Sequence, residues 1–388
     1  MTRCKDILSI IERDRDTYLD LARRIWERPE LSFEEHYAAA EQVKLLESWG
    51  FSVTFPYLGL ETAFRAEWGE GDIVFALASE YDALPGIGHG CGHNLICTAA
   101  LASANALRQL MTKERIPGKL VVLGTPAEEG GSGKVLLERQ GALDDIHACM
   151  MVHPKSSPTY TTDPGCTANQ RATIDFYGKA SHAGGMPEQG INALDAMNLV
   201  YAAVGCWRQQ LPEDARIHGV ITAGGDRPNI IPDHTQAKFY LRCVRNTYLE
   251  TMKVRFKNIV DGACLMTDCT SKIDFADTAT AARKPNGPMN KLYMKALKDL
   301  GIECTVPAKP GGGSTDFGNF SIVRPGIHPY FGICDNEYAG HSVEMTAAAN
   351  SERGQQACLN AAAAMGAIAL EYYTNPDFRA EVDADFRR

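Results

Sequence analysis

Three short runs without a charged or strongly polar residue constrain the fold more than any other feature: Ile73-Val74-Phe75-Ala76-Leu77-Ala78, Leu120-Val121-Val122-Leu123 and Ala148-Cys149-Met150-Met151-Val152. A strand with one wet face alternates apolar and polar residues, whereas one covered on both faces is apolar throughout. These runs therefore read as central strands of a sheet with helices on each side. An alanine-rich stretch at residues 95–110 lies between the first two and reads as a helix, so strand and helix alternate as in an α/β domain. Residues 7–26 and 34–46 carry helical apolar periodicity ahead of this region.

After Gly165 the texture changes. Ala172-Thr173-Ile174-Asp175-Phe176-Tyr177 alternates, and a helix is expected at 192–208, strands at 217–222 and 236–244, a helix at 248–262 and a strand at 272–275. The order β-α-β-β-α-β is that of a ferredoxin-like unit. Beyond it the pattern predicts a helix over 289–300, a buried strand over 326–333 and one long helix over 345–373. The chain has 388 residues, more than a single core usually organises. The layout is therefore an α/β fold: a hydrolase-like mixed-sheet catalytic domain (1–167 and 283–388) interrupted by an inserted α+β ferredoxin-like domain (168–282).

Lys plus Arg total 39 against 48 Asp plus Glu, a net charge of −9, and no basic run interrupts this balance, which argues against a nucleic-acid partner. The first residues turn acidic without an apolar leader, and the longest aliphatic stretch, 361–370, is too short to span a bilayer. No membrane association and a cytoplasmic location are expected. Twelve cysteines lie scattered from Cys4 to Cys358 without framework spacing, as expected of reduced, mostly buried thiols.

The chemistry sits where the apolar runs end, which is where open α/β sheets bind ligands. The first run leads to Glu80-Tyr81-Asp82-Ala83-Leu84-Pro85 and then to His89-Gly90-Cys91-Gly92-His93-Asn94. Cys91 and His93 lie two apart between glycines and offer a thiolate and an imidazole on a loop able to wrap a cation. The second leads to Glu128-Glu129, whose side chains point to opposite sides of an extended segment, one toward a metal and one toward substrate. His153 follows the third run, and His341 follows the 326–333 strand. Singly each of these would be an ordinary core or surface residue. Together, Cys91, His93, Glu129, His153 and His341 exceed one tetrahedral site and suit two divalent cations of the Zn²⁺, Mn²⁺ or Co²⁺ type.

Longer motifs strengthen the reading. Tyr81-Asp82-Ala83-Leu84-Pro85, Cys91-Gly92-His93-Asn94, Thr125-Pro126-Ala127-Glu128-Glu129-Gly130, Gly178-Lys179-Ala180-Ser181-His182-Ala183, Pro228-Asn229-Ile230-Ile231-Pro232 and Gly313-Ser314-Thr315-Asp316-Phe317-Gly318 occur in order along nearly the whole chain. In these segments the chain resembles the di-metal amidohydrolases and metallopeptidases that include aminoacylase, carboxypeptidase and auxin-conjugate hydrolases. The nearest resemblance is to the branch of β-alanyl-dipeptide and p-aminobenzoyl-glutamate hydrolases. The resemblance implies Glu128 as general base, and Glu129 as a ligand with Cys91, His93, His153 and His341. It also implies His182 as an oxyanion-stabilising residue reaching from the inserted domain, with Asn229 and Arg242 holding a substrate carboxylate. Many relatives carry a metal-binding histidine two residues before the carboxylate of the first motif; here Ala78 precedes Glu80, and Cys91 stands in as ligand. Asn94 and Ile96 replace an Asp and a second His of the auxin-conjugate branch, and His89 reads as a loop-packing residue.

The expected activity is hydrolysis of the amide bond of a dipeptide or N-acyl amino acid, with Glu80 or Asp82 orienting the ligands. The inserted domain is expected to act as a lid and to form a homodimer. The same residues would also serve a biosynthetic enzyme running in the condensing direction, and the fold alone would serve a non-hydrolytic metal-bound binding module.

Overall fold

The computed structural model describes residues 2–388, which form two compact units. The first comprises the chain up to Gly165 together with Arg283–Gly311 and Thr315–Arg388. Its six-stranded sheet runs in the order Ser52–Thr54, Phe64–Trp68, Lys119–Gly124, Val74–Ser79, Ala148–Met150, Gly326–Ile327. The Phe64–Trp68 strand is antiparallel to both of its neighbours, and the other pairs are parallel, so the sheet is mixed.

The uniformly apolar runs are explained by what each face meets. Phe75, Leu77, Leu120, Val122, Ala148 and Met150 pack into one core cluster, while Val74, Ala76, Ala78, Val121, Leu123 and Cys149 pack into another. Successive residues of a strand point to opposite faces, so both faces of these strands are dry. The first face is covered by Cys4–Arg13, Arg15–Glu27, His93–Glu114 and Glu352–Thr374, and the second by Gly133–Arg139 and Phe317–Val323. Alanines on His93–Glu114 and Glu352–Thr374 allow close approach: a Cβ on Gly366 would stand 3.1 Å from Ile7 and 3.2 Å from the Ser103 hydroxyl. The end of Glu352–Thr374 is anchored by the Tyr372 ring, 5.5 Å from that of Phe75, and by Tyr373 Oη, which donates to the Lys119 carbonyl at 2.7 Å.

Three elements differ from the sequence expectation. The helix expected at 7–26 breaks at Asp14, whose Oδ2 accepts from the amides of Asn105 and Gln109 instead of lying along a continuous helix surface. The long terminal helix is two helices, Val343–Ala348 and Glu352–Thr374. Ser351 between them is extended, and its hydroxyl caps the second helix by accepting from the Gly354 N–H at 3.0 Å. The 326–333 run is also divided. Gly326–Ile327 ends the central sheet, Pro329 follows without an N–H to donate, and Tyr330–Gly332 joins a second sheet ordered Cys304–Thr305, Tyr160–Thr161, Tyr330–Gly332, His153–Lys155. These strands of two or three residues carry no period a sequence could reveal.

The second unit is Cys166–Ala282 with Gly312–Ser314. Ala168–Tyr177, Ala193–Arg208, Ala215–Ala223, His234–Cys243, Asn246–Thr267 and Thr270–Phe275 follow one another as β-α-β-β-α-β. All strand pairs are antiparallel and the fourth strand lies beside the first, the ferredoxin-like arrangement. Alternate residues Ala172, Ile174 and Phe176 are buried with Val200, Phe239, Leu241 and Phe256. Gly312–Ser314, expected in the last stretch of the catalytic domain, belongs to this unit because Thr167 N donates to the Gly313 carbonyl at 3.1 Å and the Thr167 and Ser314 hydroxyls pair. Among the described residues no helix is long and apolar enough to cross a membrane.

Candidate metal centre

All candidate ligands lie in the first unit: Cys91, Glu129 and His341 on loops, His93 at the start of the helix His93–Glu114 and His153 at the start of the strand His153–Lys155. Directly after Val74–Ser79, Glu80, Tyr81 and Asp82 are buried. Asp82 organises two neighbouring segments: its Oδ1 lies 3.1 Å from His93 Nδ1, and its Oδ2 accepts from the Glu129 N–H at 2.9 Å and the Ser32 hydroxyl at 3.1 Å. Burial alone would raise this carboxyl, but the bond and charge of His93 and the Glu129 N–H hold it at about 2. His93 opens its helix directly after Gly92, which has φ +71° and where a Cβ would meet the Pro154 ring at 2.7 Å. That glycine permits the tight turn placing Cys91 and His93 together.

Glu128 and Glu129 occupy a turn where an extended segment was expected. Thr125 is tied by its N–H and hydroxyl to the Ser79 carbonyl, and Ala127 then adopts φ +60°. A non-glycine residue rarely adopts this conformation; here the Ala127 N–H donates to Glu35 Oε1 at 2.8 Å, and Glu35 Oε2 accepts from Thr62 at 2.8 Å. The turn is also wedged by Gly133, where an added Cβ would stand 2.0 Å from the Pro126 carbonyl oxygen.

These segments bring together three overlapping donor groups: Glu80, His93 and His153; Cys91, Glu129 and His341; and His93, Glu128 and Glu129, with donor atoms in each group within 4.8 Å of one another. His93 Nδ1 is engaged by Asp82, which leaves Nε2 as the ring nitrogen turned toward the other donors; burial opposes a proton on this ring, but the charges of Glu80 and Asp82 raise its proton affinity well above the usual range until a cation takes the proton's place. His93 Nε2 faces Glu80 Oε1 at 3.1 Å without the alignment of a hydrogen bond, and both atoms are buried. Glu129 Oε1 is likewise buried without a hydrogen bond. Carboxylate and imidazole donors gathered in a dry site without hydrogen bonds are costly unless a proton or a metal cation lies among them, and this mix of oxygen, nitrogen and sulfur donors fits a divalent metal. His153 Nδ1 sits 2.6 Å from the Pro154 carbonyl, which fixes the ring and directs Nε2 to the site; burial, with His93 nearby, lowers its protonation to about 4 and favours the neutral ligand form. His341 is the exposed member, 57% accessible, on a residue with φ +59°. Burial raises the Cys91 thiol to about 12, a shift that a bound cation reverses.

Glu128 stands beside these donors with a reason to keep its proton. Desolvation, then the charges of Glu80, Asp316 and Glu129, push its carboxyl well above the usual range. The orienting role left open between Glu80 and Asp82 falls to Asp82, which holds His93 Nδ1, while Glu80 lies on the metal-facing side of the ring. Sequence reasoning missed Lys134, a fully buried ammonium paired with Glu80 Oε2 and, at 2.8 Å, with Asp316 Oδ1. It also missed the buried Asp163–Arg283 pair, whose Asp163 Oδ2 accepts the His328 N–H at 2.8 Å beside the His153 ring. His89 packs against Ile25, its Nε2 lying 3.2 Å from that carbonyl.

His182, Asn229 and Arg242 belong to the second unit. His182 and Asn229 are adjacent: the Ala183 N–H donates to the Asn229 carbonyl at 3.0 Å, and His182 forms a β-bridge with Ile230. His182 is exposed, with Nδ1 accepting from the Gly184 N–H at 3.2 Å. Arg242 lies half-buried on the third strand of its sheet, its guanidinium donating to Ser314 Oγ at 3.1 Å and resting 5.6 Å from the Tyr240 ring centroid.

Imidazoles, a thiol and carboxylates gathered beside a glutamate of raised proton affinity are a donor set of the kind that could hold metal ions for hydrolysis. Residues 76–364 match the sequence profile of Peptidase family M20/M25/M40. The Xaa-Arg dipeptidase of Mus musculus is 38% identical over 386 residues, covering 95% of this chain and 88% of the relative. A p-aminobenzoyl-glutamate hydrolase component from Escherichia coli K12 is 36% identical over 310 residues, covering 75% of this chain and 64% of that relative. The crystal structure of a putative aminohydrolase from methicillin-resistant Staphylococcus aureus superposes with a TM-score of 0.82 at 21% identity, covering 96% of this chain and all of that one. The chain belongs to Peptidase family M20/M25/M40. It is a metal-dependent hydrolase of amide or dipeptide bonds.

Proposed function

We propose that the protein cleaves the amide of a dipeptide or N-acyl amino acid at a centre of two divalent cations, Zn²⁺, Mn²⁺ or Co²⁺, held by Cys91, His93, Glu129, His153 and His341, with Glu128 as general base. The observation that carries this is the set of buried, unpartnered donor atoms, Glu80 Oε1, His93 Nε2 and Glu129 Oε1, beside a carboxyl whose proton affinity is raised. Cations held there acidify water and polarise a scissile carbonyl. Glu128 takes a proton from water and passes it to the departing amine, a task suited to a carboxyl whose proton affinity is raised. Asp82 keeps His93 in one tautomer and, through the Glu129 N–H, fixes the turn that carries Glu128.

The second unit serves as lid and dimerisation domain in this reading. His182 supplies a donor to the developing oxyanion, and Asn229 and Arg242 hold the carboxylate of the amine-side amino acid, for which the Arg fork is geometrically matched. Both named relatives act on amides whose amine side is, or resembles, an amino-acid unit, which supports such a subsite. The edge strand Ala215–Ala223 exposes Val220 and Ile221, and with helix Ala193–Arg208 it offers a surface for a C2 homodimer. Twelve free cysteines fit a reducing, cytoplasmic setting. Glu128→Gln tests the mechanism: it should bind metal as the parent does and lose turnover by about 10²- to 10⁴-fold. A Glu128→Gln protein with parental turnover refutes the assignment.

A further inference from the structure

Lys134 raises a question the five-ligand centre leaves open. An ammonium with no exposed surface sits between two carboxylates that are equally enclosed, Glu80 and Asp316. One ammonium answers two carboxylates, so the remaining charge of Glu80 must be met either by a proton on the His93 ring 3.1 Å away or by a metal cation in that proton's place, and burial makes leaving it unanswered expensive. The remaining negative charge is also directed. Lys134 occupies Glu80 Oε2, so Oε1 is the oxygen left without a hydrogen bond, and it faces His93 Nε2 at 3.1 Å without hydrogen-bond alignment. His153 completes the group.

The cluster is fixed to the backbone at its far end. Asp316 Oδ1 accepts from Lys134 Nζ at 2.8 Å, while its Oδ2 accepts from the Lys134 N–H at 2.9 Å. The lysine is thus gripped at both ends of its side chain, and Glu80 in turn is gripped by the lysine. A pair needed only for stability would turn both of its oxygens to donors; this one keeps one oxygen in reserve beside two imidazoles.

We propose that Glu80 is a further metal ligand, completing a buried Glu80–His93–His153 half of the centre, and that Lys134 is the positioning residue that holds its carboxylate in place. The proposal rests on the reading of this region as a metal centre. It makes the two halves chemically unlike: one presents oxygen and nitrogen donors in the interior, the other the Cys91 thiolate with Glu129 and the exposed His341. Oxygen and nitrogen donors favour harder cations than a thiolate does.

The test uses full-length protein stripped with chelator and titrated with Co²⁺ and Mn²⁺ by calorimetry, while absorbance follows the thiolate-to-cobalt band that reports the Cys91 half. Glu80→Gln leaves the Lys134–Asp316 pair balanced and so retains the fold. It should weaken one of the two sites by about 10- to 100-fold, with the thiolate band still saturating as in the parent. The double variant Lys134→Met/Asp316→Asn, which removes one charge of each sign, should weaken the same site. Two sites of parental affinity in Glu80→Gln overturn the ligand assignment; parental affinity in the double variant, with Glu80→Gln weakened, overturns the positioning role. A parent chain that binds no cation refutes the metal centre itself, a result distinct from either.

Discussion

Glu35 is a buried carboxyl two segments away from the metal donors, yet it holds the turn that presents Glu128. Its Oε1 accepts the N–H of Ala127, the residue forced to φ +60°, and its Oε2 accepts from Thr62. Burial, reinforced by the charge of Asp82, raises its proton affinity from 4.5 to about 7, although these donors favour the ionised form. The linkage has a definite sign. Below pH 4.5 the carboxyl is protonated in folded and unfolded chains alike; between 4.5 and 7 the unfolded chain releases the proton and the folded chain keeps it. The folded state then binds more protons, so its stability falls as pH rises through that window. At about 1.4 kcal/mol per pH unit, the shift from 4.5 to 7 amounts to about 3 kcal/mol. Glu35→Gln cannot titrate, and its amide can accept from Ala127 while donating to the Thr62 hydroxyl. Urea unfolding of chelator-stripped parent and variant between pH 4.5 and 7.5 should therefore show the stability difference moving in favour of the variant by about 3 kcal/mol. Curves that stay parallel across this range would refute the reasoning, since all other titrating groups are common to both proteins.

Three further variants test the packing. Asp82→Asn keeps the shape but loses the charge that fixes His93, so metal affinity measured by dialysis should fall by about 10- to 100-fold. In metal-free parent protein the same carboxylate, held at about 2 against 3.8 unfolded, contributes stability above pH 3.8 that is lost as pH falls toward 2; acid unfolding of Asp82→Asn should lack that component. Gly133→Ala places a Cβ 2.0 Å from the Pro126 carbonyl and must displace the Thr125–Gly131 turn, so kcat should drop sharply while circular dichroism stays native-like. Phe239→Ala empties the centre of the second unit's core and should cost about 3–5 kcal/mol in its unfolding, measured by calorimetry.

Much of this architecture could be read from periodicity because the strands concerned are long or fully apolar. Ile73 to Ala78 could only be an inner strand, and alternation in Ala172–Tyr177 could only be a sheet with one dry face. The candidate donors stood out because Cys91, His93, Glu129 and His153 follow the ends of those apolar runs, and the structure brings them near one another. What escaped depends on distant partners. Nothing local distinguishes Lys134 from a surface lysine; its burial follows from Glu80, 54 residues earlier, and Asp316, 182 residues later. The roles of Glu80 and Asp82 were likewise undecided until the orientation of the His93 ring assigned Nδ1 to Asp82. The helix break at Asn350-Ser351 was hidden because the apolar pattern runs on across it, and only the capping bond of Ser351 reveals a fresh start.

The central claim is that a metal-loaded centre in the first unit hydrolyses an amide attached to an amino acid. The most direct measurement is amine release from Xaa-Arg dipeptides, other dipeptides and N-acyl amino acids. It compares chelator-stripped protein with protein reloaded with Zn²⁺, Mn²⁺ or Co²⁺, with bound metal quantified in each sample. Release should be absent from the stripped protein and return in proportion to bound metal. Undiminished release from metal-free protein, or silence across the panel with two cations bound, would contradict the account.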